Sequence, residues 1–102
     1  MTAAKAKGKA RWLFDHKEVY EDGDIVDMKI LEVPSPVKGS RHLLKYSLFY
    51  GREDVRIVCY DNERGKGDHK HIKGIEAPYT FTTIRQLIDD FRSDILKFRK
   101  NI

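Results

Sequence analysis

"HLLKYSLFYGREDVRIVCYD", residues 42–61, decides the fold. In "HLLKYSLFY" (42–50), Leu44, Tyr46, Leu48 and Tyr50 take alternate positions, with Lys45 and Ser47 between them. A period of two belongs to a strand with one face buried and the other in water. "GRED" (51–54) supplies a polar turn, and "VRIVCYD" (55–61) resumes the alternation. Val55, Ile57 and Cys59 are expected on one face, Arg56 and Tyr60 on the other. Two such runs around a short turn make an antiparallel hairpin.

Upstream, "YEDGDI" (20–25) sets Asp-Gly between two extended runs, a hairpin signal that pairs a strand near 12–20 with one near 25–33. In the second of these, Val26, Met28 and Ile30 alternate with Asp27 and Lys29. "VPSPVKGS" (33–40) ends it, because proline cannot donate to a strand ladder. Downstream, residues 69–73 fit a short strand, and the period then changes to 3.6. Ile84, Leu87, Ile88, Phe91, Ile95 and Phe98 form one apolar stripe, as on an amphipathic helix. Thr83 with Gln86 three residues on matches a capping box, so a helix is expected from about 83 to 99. The predicted class is α+β: a small antiparallel sheet of four to six strands, with a C-terminal helix across one face.

With 102 residues, 40% of them apolar and 35% charged, the chain suits one small domain. Of its 20 Lys and Arg, four (Lys5, Lys7, Lys9 and Arg11) precede Trp12, leaving 16 to balance 16 acids. Residues 1–10, "MTAAKAKGKA", have too little apolar surface to order themselves, so they are expected to be a flexible basic tail on a domain spanning 11–102. The body is neutral but polarised. Residues 15–32 carry seven acids and two bases, residues 36–73 nine bases and five acids, a separation that can orient an anionic ligand. Cys59 is the one cysteine, which excludes an internal disulfide and fits a buried thiol. No apolar run is long enough for a membrane span or a signal-peptide core, and a cytoplasmic location is expected.

"CYDNERGKGDHKHIKG" (59–74) is more polar than a turn requires. On a strand, His69 and His71 share a face and lie roughly 6.6 Å apart at ~3.3 Å per residue. Three readings fit. The pair can be plain loop histidines. With Asp61 or Asp68 it can bind zinc or a related ion, although His-x-His alone lacks a four-ligand spacing. It can also cleave a phosphodiester without metal, one imidazole as base and the other as acid, with Lys45, Arg56, Arg64 and Lys66 countering negative charge. Gly65-Lys66-Gly67 permits a tight turn able to offer N–H groups to an anion. It is no Walker loop, since no Ser or Thr follows the lysine.

"KYSLFY" (45–50), "CYDNERGKGDHKHI" (59–72), "PYTF" (78–81) and "LIDDF" (87–91) together resemble the TumE-like toxins of prokaryotic toxin–antitoxin systems. The resemblance runs from about Arg11 to Phe98, and Tyr-Asp-Asn-x₅-Asp-His-x-His is its specific part. Lys45, Tyr46, Asp61, Asn62, Asp68, His69 and His71 fall on the family pattern. The resemblance implies a toxin neutralised by a helix-turn-helix DNA-binding antitoxin, and attack on RNA. The expectation is a metal-independent endoribonuclease without cofactor. In it His69 and His71 are acid and base, Lys45 and Arg56 hold phosphate, and Asp61 or Asp68 orients an imidazole. Tyr46, Asn62, Arg64 and Lys66 are expected to bind substrate. Two rivals stand beside it: a non-catalytic inhibitor that occupies RNA, the ribosome or a protein, and a nucleotidyltransferase needing nucleotide and metal. Self-association into a homodimer is left open.

Overall fold

The computed structural model describes residues 8–100; most of the expected basic tail lies outside them. Six strands form one antiparallel sheet in chain order: β1 (Arg11–Val19), β2 (Ile25–Glu32), β3 (Leu44–Arg52), β4 (Val55–Glu63), β5 (Gly67–Ile72) and β6 (Ile75–Pro78). One helix, α1 (Ile84–Ile95), follows. Every strand pairs with its sequence neighbour; short turns join all of them except β2 and β3, which the longer 33–43 connection links.

The core lies between α1 and one face of the sheet. Val26, Met28 and Ile30 of β2, Leu44, Tyr46, Leu48 and Tyr50 of β3, and Val58 and Tyr60 of β4 are buried with Leu87, Phe91 and Ile95 of α1. The alternation predicted for β2 and β3 is therefore the observed one. In β4 it is offset. Tyr50 pairs with Val58, but Gly51 pairs with Arg56, so Ile57 is the extra residue of a bulge. A Cβ on Gly51 would lie 2.0 Å from the Val55 carbonyl oxygen, and only glycine permits that approach. Beyond the bulge Val58 and Tyr60 face the helix. Cys59 is buried on the other side, contrary to a simple alternation from Val55.

Thr83 caps α1 by accepting the Gln86 N–H at 3.0 Å. The capping box is half made, because the Gln86 side chain donates instead to Asp90 at 2.8 Å. The helix is shorter than its apolar stripe. After Ile95 the chain tightens into turns, with Lys97 N–H donating to Asp94 and Phe98 N–H to Ile95, and Phe98 leaves the core for the Lys73 ammonium. Polar bonds fix the helix on the sheet. Tyr60 OH donates to Asp94, Tyr79 OH to Asp90, and Arg99 bridges to Asp22 and Asp24 in the β1–β2 turn. Burial pushes Asp94 up, but hydrogen bonds from Tyr60 and Lys97 and the charge of Lys70 outweigh it, holding the carboxyl below its ordinary value.

Candidate functional site

The register divides the polar segment between the two faces of the sheet. Asp61 pairs with His69 and Cys59 with His71 across β4–β5, and His71 pairs with Glu76 across β5–β6. Paired residues point the same way, so Asp61, His69, His71 and Glu76 share the face turned away from α1. Ser47 pairs with Asp61, which puts Lys45, two residues earlier, on that face as well. Asn62 pairs with Asp68, and these two face the helix side.

On the open face the rings of His69 and His71 stand 5.3 Å apart and nearly perpendicular, at 82°. His69 Nδ1 lies 3.0 Å from the Gly67 carbonyl oxygen. A carbonyl only accepts, so Nδ1 carries the proton and Nε2 is left to face the carboxylates. Nε2 lies 2.7 Å from Asp61 Oδ1 and 3.9 Å from Glu76 Oε2. His71 Nε2 lies 3.4 Å from Glu76 Oε1. The short His69–Asp61 contact lacks hydrogen-bond direction: Asp61 Oδ1, like His71 Nδ1, is buried with no hydrogen-bond partner. The His69 side chain is 5% exposed and that of His71 22%, so His71 is the ring that reaches solvent. One ligand atom from each of His69, His71 and Glu76 falls within 4.8 Å of the others, a set able to hold a metal ion.

Basic groups border this cluster. Lys66 Nζ lies 3.8 Å from Glu76 and 3.9 Å from Glu63. Burial pushes the Cys59 thiol up against the pull of the Arg56 guanidinium beside it. Lys45, Ser47, Asp61 and Glu63 line a shallow cleft of about 220 Å³. Arg64 is exposed in the β4–β5 turn. That turn does not offer the expected N–H groups, because Gly65 N–H donates to Lys38 and Lys66 N–H to Glu63.

Asp68 does not reach the histidines of its own strand. It accepts from Ser40 Oγ, from His42 Nε2 at 2.7 Å and from Tyr46 OH at 2.8 Å. His42 Nδ1 accepts the Leu44 N–H at 3.2 Å, which places the His42 proton on Nε2. Asn62 donates to Ser40 Oγ and the Leu44 carbonyl, and accepts the Tyr46 N–H at 2.9 Å. Tyr46, Asn62 and Asp68 thus form a latch that binds the 33–43 connection to the sheet. Burial and the Asp68 carboxylate hold the Tyr46 phenol far above its ordinary value. Gly39 and Gly67 meet at this latch, where a Cβ on Gly39 would lie 2.8 Å from the Gly67 nitrogen. The larger cleft, about 360 Å³, opens beside the latch among Arg41, His42, Asp68 and Phe81. It is larger than the one at Asp61 but holds no imidazole pair.

The family model described as Toxin TumE matches residues 9–99. The chain belongs to the TumE toxin family. It is accordingly a toxin of a toxin–antitoxin system, with an antitoxin as its partner. Among curated proteins and among solved structures no match is found. Among the described residues of this TumE-family toxin, no helix is long and apolar enough to cross a membrane.

Sequence reasoning missed Glu76, His42 and Ser40. Glu76 had a signal: Lys73-Gly74 between "HKHI" and "IEAP" fits a two-residue hairpin, which sets Glu76 opposite His71. His42 and Ser40 had none, since only the tertiary fold brings a connecting segment to Asp68.

Proposed function

We infer that this toxin acts by cleaving RNA at the open-face cluster. The observation that carries the reading is the imidazole pair, 5.3 Å apart, bounded by two carboxylates and sharing its face with Lys45 and Arg56. Cleavage without water in the first step needs a base to take the 2′-hydroxyl proton. The 2′-oxygen then bonds to phosphorus as the 5′-oxygen leaves with a proton. The products are a 2′,3′-cyclic phosphate and a 5′-hydroxyl. Lys45 and Arg56 suit the charge that develops on the phosphate oxygens. His69, walled in at 5% exposure, acts on substrate through the cluster, while His71 stands at its rim.

The decisive experiment compares His71→Gln with the wild type on labelled RNA and in cells lacking the antitoxin. Turnover should fall by about 10²–10⁴-fold, with RNA affinity little changed and growth inhibition relieved. Full toxicity in His71→Gln would instead favour an inhibitor that binds without turnover.

A further inference from the structure

We propose that His69, His71 and Glu76, with Asp61 beside them, bind one divalent transition-metal ion of the zinc class. Two imidazoles and a carboxylate are a donor set for such ions, with a coordination position left for water. At bond lengths near 2.1 Å, tetrahedral donors stand about 3.4 Å apart. His71 Nε2 and Glu76 Oε1 are 3.4 Å apart, and His69 Nε2 and Glu76 Oε2 are 3.9 Å apart.

The second support is the bonding of the groups around the set. A ligating histidine ordinarily gives its other ring N–H to a carbonyl or carboxylate, which fixes the ring and its tautomer. His69 does so through Nδ1 to Gly67. Its Nε2 meets Asp61 Oδ1 at 2.7 Å without hydrogen-bond direction, so a cation held beside both atoms would serve them better than a shared proton. Asp61 Oδ1 is buried and makes no hydrogen bond, a costly state for a carboxylate oxygen that a nearby cation relieves. Lys66, at 3.8 Å from Glu76, neutralises one carboxylate but does not reach the space between the rings.

This replaces the metal-free site expected from the sequence. Binding of the ion is independent of the RNA reading above; any use of the ion in cleavage rests on it. There a bound ion would bring the pKa of its water to about 7, making the base that a buried His69 is poorly placed to be.

The test is calorimetric titration of the chelator-stripped full chain with zinc, manganese and cobalt(II) salts, alongside the visible spectrum of the cobalt form. Saturation at one equivalent is expected, with cobalt bands typical of nitrogen and oxygen ligands. Glu76→Gln and His71→Gln should weaken binding by at least ~10-fold, while His16→Gln, on the exposed strand β1, leaves it unchanged. The cobalt spectrum needs no variant, so it decides even if a substituted chain fails to fold. No saturable binding of any of the three ions, or binding undiminished in both cluster variants, would overturn the proposal. Binding without RNA cleavage would leave the metal site standing and defeat the nuclease reading; cleavage undiminished by chelator, without binding, would do the reverse.

Discussion

At the scale of single residues, neighbouring carboxylates have opposite duties. Asp68 is held by three donors, Ser40, His42 and Tyr46, and its loss strands them around a buried phenol. Asp68→Ala should cost about 2–3 kcal/mol, a fall in Tm of roughly 10 °C or more for a chain of this size. Asp61 makes no hydrogen bond through its buried Oδ1, which meets the His69 ring at 2.7 Å. Asp61→Asn should therefore leave the Tm within about 3 °C while reducing toxicity. Thermal melts of the two variants, beside growth assays, check both. A larger loss of stability in Asp61→Asn than in Asp68→Ala would reverse these roles.

At the scale of elements, α1 is held by one apolar stripe and by two carboxylates, Asp90 and Asp94. Phe91 is fully buried and sets its ring edge-on to Tyr60, 5.8 Å between centroids at 80°. Phe91→Ala should cost about 3–5 kcal/mol, read from denaturant unfolding, a large part of the stability of a small domain. Asp94 adds a pH dependence. Its folded-state pKa lies below the ordinary 3.8, so the ionised form stabilises the fold fully above that range. The contribution disappears as pH falls through the lowered value. Wild type should exceed Asp94→Asn in Tm at pH 7, and the gap should close as the medium is acidified below pH 3.8. A gap that is constant with pH would show that the charge of Asp94 is not what matters.

At the scale of the whole molecule, a net charge of +4 says less than its placement. The helix covers one face of the sheet, so the RNA of the proposed function has only the other, where Lys45 and Arg56 lie with the cluster. Each phosphate contact on a single strand adds about 0.7 to the slope of log affinity against log salt. Arg56→Ala should weaken RNA binding and flatten that slope by roughly this amount, measured by filter binding over a salt series. An unchanged slope would place the phosphate elsewhere, with the cleft of about 360 Å³ at His42 and Arg41 the next candidate.

The sequence by itself determined the first five strands and the start of the helix, though not β6 or the end of the helix at Ile95. Those five strands and that start rest on local rules. The alternation in β2 and β3, the Asp-Gly turn, and the stripe from Ile84 to Ile95 each appear within a few residues of one another. It also brought His69 and His71 to one face, since two positions along a strand do so in any fold. What it could not determine was the facing of β4. The Gly51 bulge shifts the pairing by one residue, and a one-residue shift exchanges the faces of a strand. Asp68, one position from His69, falls on the opposite face by the same alternation, but that Asp61 meets His69 follows from the β4–β5 register. Only the folded sheet sets Glu76 opposite His71, 3.4 Å away. Only the packed connection carries Ser40 and His42 to Asp68. Strand pairing joins residues by position across the ladder, and a pattern read along one strand does not contain that coordinate.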